Sequence, residues 1–268
     1  MPELPEVETV VQGIRPHLEG RTITKVHVNW PKALIPASAR QSLVGRSIKT
    51  VSRRAKFIVL DLDEGALLVH LRMTGRLYLH APDPAHVNYV TVALSLDDES
   101  RLTFQDTRKF GRFVLVDDAA VALEHLGPEP LSGAFSAKQF TAMLRTRKRQ
   151  IKPLLLDQGF LAGLGNIYVD EALFVSGIHP LSIANQIPED RIVRLHRSIR
   201  RILRESIERQ GTTVLTFVHG DNRSGEYQHK LKVYGRKGEA CVKCKNPIHK
   251  IVVGQRGTHF CAVCQPVF

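Results

Sequence analysis

The stretch Leu126-Gly127-Pro128-Glu129-Pro130 separates two kinds of sequence. Two prolines and a glycine so close together suit neither a helix interior nor a central strand, so the stretch reads as a hinge. On its N-terminal side, from about Thr22 to Val116, short runs rich in β-formers are broken by turn residues. Phe57 to Asp63, Ala66 to Met73, Arg76 to His80, Tyr89 to Leu96, Arg101 to Gln105 and Arg112 to Asp117 are the predicted strands. Asp63-Glu64-Gly65 and Asp97-Asp98-Glu99-Ser100 read as hairpin turns between them. Strands do not alternate with helices, which points to antiparallel sheets packed as a sandwich. On the C-terminal side the period becomes helical, over Ala137 to Arg149, Gly165 to Val175 and Pro188 to Gln210. The last segment gathers Ile192, Leu195, Ile199, Ile202, Leu203 and Ile207 on one face. Arg194, Arg197, Arg200, Arg201 and Arg204 lie between them and read as a solvated face. The fold class is therefore α+β, with domains predicted at 1–130, 131–230 and 231–268.

A short helix is predicted ahead of the strands. Val7, Val10, Val11, Ile14 and Leu18 recur at helical spacing. Glu3, Glu6 and Glu8 crowd its first turns, where the helix dipole favours negative charge, and Pro5 fits where no amide donor is missed.

Charge narrows the partners. Lys and Arg number 38 against 26 Asp and Glu, a net charge of +12 with an isoelectric point near 9.8. Such a surplus favours a polyanion, nucleic acid before an anionic membrane. No apolar run approaches the roughly 20 residues that span a bilayer, and the acidic start is unlike a secretory signal. These features predict a cytoplasmic protein, where cysteines serve as metal ligands or buried thiols rather than disulfides.

The cysteines follow the pattern Cys241-x2-Cys244-x16-Cys261-x2-Cys264. Two such knuckles can complete a tetrahedron of thiolates around one Zn2+. A site with no open position is structural, and a module of this size needs the metal to fold. Between the pairs, Ile251 to Phe260 reads as a β-hairpin with Arg256 at its tip. A guanidinium there suits phosphate, because its fork matches phosphate oxygens, or it is simply solvated.

Taken together, these segments resemble the formamidopyrimidine-DNA glycosylase family. The blocks that carry the likeness are Pro2 to Thr9, Arg53 to Phe57, His70 to Gly75, Asp106 to Gly111, Gly163 to Glu171 and the zinc hairpin. They run in the family's order along the whole chain. The sister family, endonuclease VIII, typically has glycine where Leu4 stands, so Leu4 favours the purine-directed branch. The resemblance implies a helix–two-turns–helix element around Asn166 and damaged double-stranded DNA as the partner; no nucleotide cofactor is expected, and with no sign of oligomerisation in the chain a monomer is the default. That DNA would lie in a cleft between the domains.

It also implies a chemistry. With Met1 removed, Pro2 becomes a secondary amine, and an α-amino group titrates near ~8, leaving a neutral fraction that can attack. A helix N-terminus lowers that value further. Without the flanking motif, proline at this position reads only as a processing signal. Attack at the anomeric carbon would expel the base, and the iminium would acidify the neighbouring sugar proton for elimination at both phosphates. Glu3 is the candidate general acid and then base, and Glu6 a candidate for positioning water or the amine. Lys56 and, by the same likeness, His70 are expected on phosphate. Asn166, with Lys152 nearby, belongs to the DNA-facing helix–two-turns–helix, where glycines and a helix dipole attract phosphate. Met73, Arg108 and Phe110 match the family's void-filling residues, which replace an everted nucleotide in the stack. By themselves Met73 and Phe110 pass for core residues.

Thr212 to Leu231 corresponds to the loop that covers the everted base. Leu215 stands where arginine is common, His219 where asparagine is common, and Gln255 replaces a frequent glycine. Ala262-Val263 replaces a usual proline-arginine pair. The expected substrates are 8-oxoguanine and ring-opened purines. The rival readings are an enzyme for another lesion, an abasic-site lyase, a lesion-binding protein that does not cut, and, with no aromatic platform, more remotely an RNA-processing protein.

Overall fold

A computed structural model describes residues 2–80, 88–212 and 225–268. Leu215 and His219 lie outside the described residues. The chain forms two compact units, one of Met1–His125 with Arg209–Glu226, the other of Leu126–Glu208 with Tyr227–Phe268.

The first unit begins with α1 (Leu4–Leu18), whose Val7, Val10, Val11, Ile14 and Leu18 are all buried. Two sheets follow. One has the order β1 (Ile23–Val28), β7 (Val90–Leu96), β8 (Arg101–Gln105), β6 (Arg76–His80). The other runs β2 (Leu34–Ile35), β9 (Arg112–Val116), β5 (Ala66–His70), β4 (Phe57–Leu62), β3 (Ile48–Arg54). Two short helices, α2 (Ala39–Ser42) and α3 (Ala119–Ala122), flank them. Residues of α1 and of both sheets share one apolar core, in which Phe104 of β8 meets Phe113 of β9 edge-on at 5.2 Å. The pairing is antiparallel as expected except at β2, which joins β9 in parallel for two residues. β5 ends earlier than predicted, at His70, because Arg72 takes a positive φ of 55° and turns the chain.

The second unit carries α4 (Ala137–Arg145), α5 (Ile151–Leu156), α6 (Asn166–Ser176) and α7 (Glu189–Glu208). The helix predicted over Ala137 to Arg149 stops at Arg145, because the backbone of Arg147 and Arg149 instead accepts from Asn185 and Ala184. Two turns join α5 to α6. Gln158 braces them, donating to the carbonyls of Leu156 and Leu164 and accepting from Gly163. On α7 Ile192, Leu195, Ile199, Ile202 and Leu203 of the predicted apolar face are buried and Ile207 is half-buried, while Arg194, Arg197, Arg201 and Arg204 are exposed. Arg200 departs from that solvated face by donating to the carbonyls of Pro130, Leu131 and Ser132, which ties the end of the hinge to the helix. The chain closes on a hairpin, β10 (His249–Val253) with β11 (Arg256–Phe260). Among the described residues, no helix is long and apolar enough to cross a membrane.

Candidate active site and metal centre

Pro2 is buried where the chain enters α1. Glu3 caps that helix with an extended backbone, and its N–H donates to Glu6 Oε2 at 2.8 Å in a capping box. Glu3 is 2% exposed and Glu6 0%. The other Glu6 oxygen accepts from both the N–H and the hydroxyl of Thr212, each at 2.9 Å. A buried carboxylate is costly unless its lone pairs are met, and these donors meet them. Gly211, with φ +87°, allows the approach: a Cβ there would lie 2.9 Å from Glu6 Oε1. Glu226 N–H donates to the Arg209 carbonyl, so the neck of the segment after α7 is closed beside Glu6. Glu8, by contrast, pairs with Arg53 at 2.8 Å, on the outer part of α1.

Lys56 lies in the two-residue turn between β3 and β4 and is largely buried, after an Ala55 of positive φ. His70, at the end of β5, packs edge-on against Phe57 at 4.7 Å. Its Nδ1 accepts the Arg72 N–H at 2.9 Å, which leaves Nε2 to carry the hydrogen. Burial, then the charges of Arg72 and Lys56, pushes its pKa down to about 3. His70 is therefore a neutral donor at physiological pH.

Met73 and Phe110 are exposed, at 38% and 46%, although both are apolar. The Arg108 guanidinium lies 4.7 Å from the Phe110 ring centroid.

In the second unit, the side-chain amide of Asn166, at the start of α6, donates to the Gly257 carbonyl at 2.9 Å. Lys152, expected to face DNA, is 0% exposed and paired with Asp170 at 2.6 Å, with Gly257 O at 3.3 Å. The other Asp170 oxygen accepts the His259 N–H at 2.8 Å. Glu171 accepts the N–H groups of Lys232, Val233 and Tyr234. Burial pushes its carboxyl up, and these three amides pull it back. Arg256 is not at the hairpin tip: Gly254 and Gln255, with φ +54° and +62°, form it, and Arg256 opens the return strand opposite Val253. Two positive φ values are what a tight primed turn demands, a conformation that glycine adopts at less cost than Gln255 does.

The four cysteine sulfurs lie within 4.8 Å of one another, with Cys241 and Cys264 3.9 Å apart and Cys244 and Cys261 3.4 Å apart. A Zn–S length of about 2.3 Å gives a tetrahedral edge of about 3.8 Å, so the set fits one structural Zn2+. The module rests on α6 through Phe174, which packs with Val233, Ile248, Cys241 and Cys261.

Thr212, Asp170 and Glu171 carry much of this geometry, and none of them stands out in the sequence as a site residue. All but Thr212 sit inside the motif blocks quoted above, which was the available signal.

A β-sandwich opened by a helix with a buried proline at its start, plus a helical unit closed by four thiolates, defines the class of helix–two-turns–helix DNA glycosylases. Family models match accordingly: the formamidopyrimidine-DNA glycosylase N-terminal domain over residues 1–113, its H2TH domain over 126–218, and the zinc finger found in FPG and IleRS over 238–267. The formamidopyrimidine-DNA glycosylase of Herpetosiphon aurantiacus is 44% identical, over 99% of this chain and 100% of that protein. That of Chloroflexus aggregans is 45% identical, over 99% and 98%. Among solved structures, wild-type Lactococcus lactis Fpg bound to N7-benzyl-Fapy-dG DNA has a TM-score of 0.91 and 37% identity, covering 98% of this chain and 99% of that one. The same enzyme with abasic-site DNA gives the same values. The chain belongs to the formamidopyrimidine-DNA glycosylase family, DNA glycosylases and AP lyases of base excision repair.

Proposed function

We propose that this chain excises oxidised purines, 8-oxoguanine and formamidopyrimidines, from double-stranded DNA through the amine of Pro2, and then nicks the strand. The observation that carries this is the buried Pro2–Glu3 peptide at the mouth of α1, fastened by Glu6 and, through it, by Thr212. After Met1 is removed, the Pro2 lone pair attacks C1′. The bond from C1′ to the base breaks, and the base leaves with that electron pair and takes up a proton. Glu3 donates a proton to the ring oxygen as the sugar opens, so the amine, having lost its proton, becomes an iminium. Removal of a C2′ proton then expels the 3′ phosphate, and a second elimination expels the 5′ phosphate. Glu6, bonded on both oxygens, holds the Glu3 amide and thereby orients Pro2.

Lys56 and a neutral His70 Nε2–H bind phosphate of the damaged strand, and Arg256 binds phosphate from the hairpin. Asn166 and Lys152 hold the Gly257 carbonyl beside Arg256, so both support DNA binding from within the fold. Met73, Arg108 and Phe110 fill the space an everted nucleotide leaves. The protein works as a monomer in the cytoplasm, and salt weakens its grip on DNA because counterions are released.

Borohydride trapping on a panel of duplexes tests the reading. Covalent adducts are expected on oxidised-purine and abasic DNA, and Pro2→Gly is expected to lose them by about a hundredfold or more, the scale of a lost nucleophile. Adducts on abasic DNA alone would leave an abasic-site lyase. No adduct on any duplex, with binding intact, would leave a lesion-binding protein.

A further inference from the structure

Met73, Arg108 and Phe110 stand on two separate turns, and one buried carboxylate joins those turns. Asp106 is 1% exposed. Its Oδ2 accepts the Gly111 N–H at 2.7 Å, and its Oδ1 accepts the Arg108 N–H at 3.2 Å, so it closes the turn that carries Arg108 and Phe110. The same Oδ1 accepts the hydroxyl of Thr74, the residue after Met73. Thr74 Oγ1 in turn lies 3.3 Å from the Arg108 N–H. Both turns also rest on one ring: a Cβ at Gly75 or at Gly111 would overlap Phe104. Lys109, at φ +58°, holds the far side of the second turn with its ammonium 4.7 Å from the Trp30 ring.

We propose that Asp106 and Thr74 form a clamp that makes Met73, Arg108 and Phe110 one rigid wedge. The inference rests on the reading of those three as void-filling residues. A wedge must enter a duplex while the target nucleotide leaves it, and loose tips would each pay ordering entropy at that moment. A carboxylate shared between the turns removes that cost beforehand. Asp106 and Thr74 act through the three wedge residues and are positioning residues.

Thr74→Val is the sharper variant, because it cuts the link between the turns and leaves the Asp106 bonds within 106–111 in place. Stopped-flow fluorescence of 2-aminopurine beside a paired lesion reads eversion. Borohydride trapping on an abasic duplex, where no base must leave the stack, reads the amine chemistry. Thr74→Val is expected to slow eversion about 10- to 100-fold, the range spanned by a hydrogen bond to a charged group. Trapping on abasic DNA is expected to stay within about threefold. Adding Thr74→Val to Met73→Ala is expected to cost little more than Met73→Ala alone, since positioning and positioned residue act as a unit. Trp30, the sole tryptophan, supplies a second signal: its emission is expected to shift in Thr74→Val as the turn beneath Lys109 loosens, and an unchanged emission would count against the clamp. Wild-type eversion in Thr74→Val beside slow eversion in Met73→Ala would overturn the clamp and keep the wedge. Wild-type eversion in both would remove the wedge reading and the clamp with it. Equal losses on paired and abasic DNA would overturn the clamp as a positioning device.

Discussion

Glu6 and Asp170 are both fully buried carboxylates that fasten a working element, and they are satisfied by different partners. Asp170 faces the Lys152 ammonium at 2.6 Å and the His259 N–H at 2.8 Å, linking α5, α6 and the hairpin. Glu6 accepts from a peptide N–H on one side and from the N–H and hydroxyl of Thr212 on the other. The hairpin is thus held by an ion pair and stapled by four thiolates. The N-terminus is held by hydrogen bonds to the neck of a segment 206 residues away. The first arrangement sets opposite charges against each other inside the fold. The second satisfies its carboxylate with neutral donors alone, two of them from Thr212.

Metal removal should separate the two regions most. Zinc in small modules binds with about 10–16 kcal/mol, all of it available to folding. Chelation is expected to lower the calorimetric melting temperature steeply and abolish DNA retention. A chelated protein melting at the holo temperature would break the contrast.

A matched pair of substitutions comes next. Lys152→Met leaves Asp170 buried without its cation and is expected to cost about 3–5 kcal/mol in denaturant titration, much of it recovered by adding Asp170→Asn. Thr212→Val removes one hydroxyl donor to Glu6 and is expected to cost about 1–2 kcal/mol while slowing Pro2 trapping. Equal stability costs for the two would show that the carboxylates are held alike.

An effect of similar size, visible only as pH falls, concerns His70. Its pKa lies near 3 in the fold, below the ordinary 6.5, because of burial and neighbouring cations. The unfolded chain therefore takes up the proton first. The stability this residue contributes is complete above pH 6.5 and is lost as pH falls from 6.5 toward 3. His70→Gln lacks this loss, so the advantage of the wild type should shrink by about 2 kcal/mol on going from pH 7 to pH 5. A variant whose stability follows the wild type in parallel over that range would place the His70 ring in solvent.

Much of this was readable in the chain, for reasons that differ by element. The strands flanking Asp63-Glu64-Gly65 could be read from composition because their faces and turn residues are local. β3 is not legible in the chain, since Lys49, Arg53 and Arg54 hide the buried Ile48 and Val51. The end of α4 was misplaced because a segment near Ala184 competes for the backbone at Arg147 and Arg149. Lys152 looked like a surface cation, as lysines usually are; only Asp170 beside it makes burial tolerable.

The sequence by itself determined the four-cysteine set, the change of pattern near Leu126, the apolar face of α1 and the candidate nucleophile. Each depends on spacing within a few residues, or on chemistry that a side chain carries anywhere. Tertiary structure alone decided that Glu6 meets Thr212, that Asp106 meets Thr74, and that Lys152 meets Asp170. A charged side chain reads the same in a sequence whether water or a distant donor satisfies it, and only folding excludes the water.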